Sequence, residues 1–162
     1  MFDLTYLHPM IVHFPIALLI IGLFADIIGV IFKKEFYMRT ALYLLVLGTL
    51  GVVAAYFSGD FAGEGIVEAG SLKNALETHE DAAKITVWVM SFVAVTRLAL
   101  VLMKKYKGLL PIVSVLLFAV GVLTMARTAH YGGQLVYKHA AGVQLQIGSL
   151  PAVSEEETKD ND

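Results

Sequence analysis

Five histidines stand out as ligand-bearing side chains: His8, His13, His79, His130 and His139. The chain has no cysteine, which removes disulfides, zinc–thiolate sites, iron–sulfur clusters, thiol catalysis and covalent c-type haem attachment. Without thiolates, a histidine cluster suits haem iron, copper, zinc or non-haem iron. Haem b needs two histidines from facing helices, an apolar slot and, often, cations near the propionates. His13 and His79 fall on different helices at similar depth and form the first expected axial pair. His8, His130 or His139 are alternates or a second site, and Arg127 lies at the level of a propionate. Each histidine also has an ordinary structural use. His8, before Pro9, can cap a helix; His13, His79 and His130 can bond a backbone carbonyl or a facing helix; His139 suits an interfacial loop.

Carboxylates add little to a metal reading. Asp60, Glu64, Glu77, Glu80 and Asp81 share the histidine side, but no H-E-x-x-H or E-x-x-H spacing occurs. That speaks against a di-iron centre and a hydrolytic zinc site. Asp26 and Arg97 are charges inside apolar runs, each six residues before a basic turn, and are placed to form an intramembrane pair. Such a pair is either structural or linked to a proton or quinone. Small residues (Gly48, Gly51, Ala54 and Ala55, then Ala126 and Ala129) either leave room for a flat macrocycle or serve close helix packing.

The elements that must position these groups follow from composition. Of 162 residues, 57% are hydrophobic and 16% charged, with a mean hydropathy of +0.72. Ordinary soluble domains carry about 25% charge, so a soluble globular domain is excluded. A net charge of −2 and a pI near 6.2 speak against nucleic acid. Apolar runs cover residues 14–32, 41–57, 85–103 and 109–126. Each is long enough to cross a bilayer. The expected fold is an all-α polytopic membrane protein, a four-transmembrane-helix up-down-up-down bundle in contact with lipid. Its domain covers 1–150, with spans at about 11–32, 41–58, 82–103 and 109–131, and an acidic tail at 151–162 is expected to be disordered.

The first span follows an acidic flank without a base, so it is expected to be retained rather than cleaved. Six of the twelve basic residues sit in two short turns: Lys33, Lys34 and Arg39, then Lys104, Lys105 and Lys107. The positive-inside rule puts both turns in the cytoplasm and both termini, with all five histidines, on the outer side of the inner membrane. Trp88, Tyr6, Tyr56, Tyr131 and Tyr137 suit an outer aromatic belt.

Between the second and third spans, residues 58–65 read as a turn. From Ser71 the spacing of Leu72, Leu76, His79 and Ala83 predicts one helical face, and a start at Thr78 is the alternative. Lys73/Glu77 and Glu80/Lys84 have ion-pair spacing. The fourth helix is expected to stop at Gly132-Gly133. No inverted repeat or broken-helix signal points to a transporter.

Three segments carry a family resemblance: LHPMIVHFPIAL (7–18), THEDAA around His79, and HYGGQLVYKHAAGV (130–143). They resemble a bacterial family of small four-helix membrane proteins known as domain of unknown function 2231, and the likeness reaches to about residue 150. The matching signature positions are His8, Pro9, His13, Pro15, His79, Gly132, Gly133 and His139. Many relatives carry Gly after the last histidine, where this chain has Ala140. Relatives are often fused to c-type cytochrome or Rieske-type modules, so the resemblance implies membrane redox work with such a partner. The leading expectation is haem-b-mediated electron transfer between the quinone pool and an outer-side acceptor, as a subunit rather than a stand-alone enzyme. The alternatives are a copper-, zinc- or iron-handling protein and a non-catalytic anchor or assembly module, and either role is open to an oligomer.

Overall fold

Four long apolar runs must satisfy their backbone groups internally in a bilayer, which leaves the helix as their only open-chain solution. The computed structural model describes residues 7–63 and 70–141. Its helices are α1 (Leu7–Ile31), α2 (Glu35–Gly63), α3 (Ser71–Leu102) and α4 (Leu110–His139). All four are long and apolar enough to cross a membrane, and no strand occurs among the described residues. The tail at 151–162, Tyr6 and Glu64 lie outside the described residues.

Packing is closest within two helical hairpins, α1 with α2 and α3 with α4. The hairpins meet through α2/α3 and α1/α4, while the diagonal pairs α1/α3 and α2/α4 keep their described Cα atoms more than 8 Å apart. Leu19, Leu45, Met90, Val93 and Phe118 fill the centre. Large apolar side chains on the outside, such as Trp88, Phe24 and Leu123, are exposed and face the position of lipid.

The small residues of α2 serve close packing. A Cβ on Gly48 would meet Leu19 Cγ and Cδ2 at 2.6 Å, and one on Gly51 would meet Pro15 Cβ at 3.0 Å. The α1 side chains occupy the room that these glycines leave.

Three local expectations change. Residues 58–63 do not turn but continue α2. The Ser58 hydroxyl bonds back to the Ala55 carbonyl at 2.9 Å, and the helical ladder satisfies the segment's polar groups. Likewise α4 runs through Gly132-Gly133 to His139. It ends where Ala140 adopts φ 51°, with Ala140 and Ala141 N–H donating to the Val136 and Leu135 carbonyls. A helical glycine pair costs only about 1 kcal/mol per residue against alanine, which flanking helices readily offset. Finally, Lys84 pairs with Asp81 at 3.3 Å rather than with Glu80, and no ion pair joins Lys73 to Glu77 among the described residues. The α3 start at Ser71 stands, and Thr78 is interior, its hydroxyl bonding to the Asn74 carbonyl.

Candidate functional site

Polar side chains face each other at both ends of the gap between α1 and α3. His8 and Asp26 lie eighteen residues apart on α1, and His79 and Arg97 lie eighteen apart on α3. Eighteen residues make five full turns, so each pair shares a face and is separated by about 27 Å along its helix. The parallel helices α1 and α3 therefore present matched polar groups at both ends. One end pairs histidine with histidine, the other acid with base.

At the histidine end, the His8 and His79 ring centroids are 6.3 Å apart with planes at 80°. Both rings are half-buried. His8 Nδ1 lies 2.9 Å from the Ala55 carbonyl and 3.1 Å from Ser58 Oγ. His79 Nδ1 lies 3.1 Å from the Thr128 carbonyl. A carbonyl only accepts, so Nδ1 of each ring carries the hydrogen, and in the neutral imidazole Nε2 keeps its lone pair. Each histidine is thus anchored on the other helix of its own hairpin. Two glycines make the approach possible. A Cβ on Gly59 would stand 2.9 Å from His8 Cε1, and one on Gly132 would stand 3.1 Å from His79 Cε1. Behind His79, the Thr86 and Thr128 hydroxyls meet at 2.9 Å.

The other expected ligands do not join this pair. His13 lies five residues from His8, about 140° round the helix. It is exposed, and its Nδ1 donates to its own helix at the Pro9 carbonyl, 2.6 Å away. His79 therefore meets His8 and not His13. His130 is exposed and contacts Gln134 Nε2 at 2.7 Å. Arg127 is exposed beside the Tyr131 ring, with Nε 3.3 Å from its hydroxyl. His139 closes α4, half-buried.

At the opposite end, Arg97 and Asp26 form a buried two-pronged ion pair. Nη1 contacts Oδ2, and Nη2 is 2.7 Å from Oδ1. Arg97 Nη2 also donates to the Met38 carbonyl of α2 at 3.1 Å. The Tyr106 ring covers the guanidinium, 5.2 Å from its carbon. Among the described residues, Arg97 Nε has no hydrogen-bond partner. Burial pushes the Tyr106 phenol above its ordinary value, so it stays neutral over the cation.

Residues 5–145 match the family described as a predicted membrane protein, DUF2231. The chain belongs to the DUF2231 family. No curated protein and no solved structure matches it. The DUF2231 match spans both polar ends, so the His8–His79 and Asp26–Arg97 contacts lie wholly within the family's region. The eighteen-residue spacing on two helices is the sequence signal that points to both contacts, and it singles out His8 over His13.

Proposed function

We propose that the protein is an electron-transfer subunit of the cytoplasmic membrane whose histidine end binds haem b through His8 and His79. The observation that carries this assignment is the pair of anchored imidazoles, each with Nδ1 fixed on a backbone carbonyl and Nε2 left as the ligating atom. A second hydrogen bond of this kind is the usual support of a metal-bound histidine, because it fixes the tautomer and raises ligand basicity.

The donor set and its spacing fit the group. The His8 and His79 ring centroids stand 6.3 Å apart. The two residues come from different hairpins, which pack less closely on each other than the helices do within each hairpin. A macrocycle supplies four nitrogens and needs only two from the protein, whereas a bare zinc or copper ion takes three or four. Among the described residues no group of three or more metal-binding side chains occurs.

Bound haem would supply one-electron chemistry. The chain's own residues would hold it. His8 and His79 would hold it through Nε2, Gly59 and Gly132 leave room for the two imidazole rings, and Arg127, exposed one residue before Thr128, is the cation that would meet a propionate. Electrons would pass from a membrane quinone to a c-type cytochrome or Rieske-type partner on the outer side.

An oxidised-minus-reduced absorption spectrum of protein purified from haem-replete cells tests the assignment. A Soret band and b-type signal that vanish in His8→Ala and in His79→Ala, but persist in His13→Ala, are expected. A colourless protein that takes up no added haem overturns it, and stoichiometric metal without porphyrin would replace haem by a metal ion.

A further inference from the structure

The end of the molecule opposite the histidines carries an uncompensated charge. Lys33, Lys34, Lys104, Lys105 and Lys107 are all exposed. None has a carboxylate partner among the described residues, since Glu35 pairs with Arg39 and Asp26 with Arg97. Two of these lysines adopt the left-handed backbone region, Lys33 at φ 52° and Lys104 at φ 57°.

Directly below this charge lies a groove of about 400 Å³ between α1 and α4. Ile27, Val30, Ile31, Ile112, Val115 and Leu116 line it. It occupies the last two turns of α1 and the first two of α4. Lys33 and Lys34 follow the α1 wall within three residues of Ile31, and Lys107 precedes the α4 wall by five residues from Ile112. The groove sits where α1 and α4, among neighbouring helices, pack least closely.

We propose that this groove is a binding site for one anionic membrane phospholipid. An acyl chain lies along the isoleucine and valine walls, and the phosphate headgroup sits on Lys33, Lys34 and Lys107. Neither half makes the site alone. Basic turns attract anionic lipid diffusely, and an apolar groove takes any acyl chain. Placed one above the other, they match an amphipathic ligand with a negative head at one fixed depth. Phosphate is the chemistry that the lysines recognise, and the groove commits the site to a lipid as its source.

The test is native mass spectrometry of the full chain released from mixed micelles of phosphatidylglycerol and phosphatidylcholine. One phosphatidylglycerol is expected to be retained per protein, at least tenfold in preference to phosphatidylcholine. The Lys33→Gln, Lys34→Gln, Lys107→Gln triple variant should lose that preference and retain the two lipids about equally. Val115→Trp, which fills the groove and keeps every lysine, should lose the retained lipid. Inorganic phosphate at millimolar concentration should leave the lipid in place. Equal retention of the two lipids, an unchanged count in Val115→Trp, or displacement by inorganic phosphate overturns the proposal. None of these readouts depends on haem.

Discussion

Asp26 and Arg97 show what one buried contact does at the scale of a residue. Their two-pronged geometry satisfies most of the charge that the apolar interior would otherwise penalise. Removing one partner leaves the other unpaired, so Asp26→Leu alone should cost about 3–5 kcal/mol. The double replacement Asp26→Leu with Arg97→Met should recover most of that loss, since an apolar pair of similar volume carries no desolvation cost. Thermal unfolding in one detergent, run as a double-mutant cycle, measures both. Gly132 and Gly133 offer a second contrast. A methyl on Gly132 presses on His79, whereas one on Gly133 meets nothing within 4 Å. Gly133→Ala should stabilise by about 0.5–1 kcal/mol, while Gly132→Ala should displace His79 and weaken the proposed haem binding there. Denaturation midpoints and metal or haem uptake of the two variants decide the point. That His8 rather than His13 faces inward is hard to read from local pattern. The first helix is apolar all round, so no hydrophobic stripe marks its inner side; only the five-turn match to Asp26 does.

At the scale of the element, α4 ends on a non-glycine residue in the left-handed region, Ala140 at φ 51°. That conformation costs an L-residue roughly 1–2 kcal/mol relative to glycine. Ala140→Gly should therefore raise stability by about 1 kcal/mol, read as a higher midpoint with an unchanged helical signal. The four helices are legible in the sequence because a bilayer demands a minimum apolar length, and length can be counted. Their ends are less so. Gly59 and Gly132 read as turn formers, yet here they admit histidine rings between helices, and that use depends on a partner distant in sequence. The Asp26–Arg97 pair is foreseeable from matched depth alone, since two opposite charges inside apolar runs have few other ways to be satisfied.

For the whole molecule, the cysteine-free sequence makes orientation directly measurable. A single cysteine replacing Lys105 and another replacing Asn74 would each be the chain's only thiol. With the basic turns in the cytoplasm, a membrane-impermeant maleimide should label the Asn74 position in intact spheroplasts and the Lys105 position only after lysis. The reverse pattern would invert the assignment of sides. The acid–base end has a mechanical consequence for the same whole. Arg97 is hydrogen-bonded across the hairpins to Asp26 and to the Met38 carbonyl, whereas each histidine Nδ1 bonds within its own hairpin. A slip of either hairpin by one turn, about 5.4 Å, would break the ion pair. It therefore acts as a locating pin, and the two histidine rings, about 27 Å away along their helices, take their relative height from it.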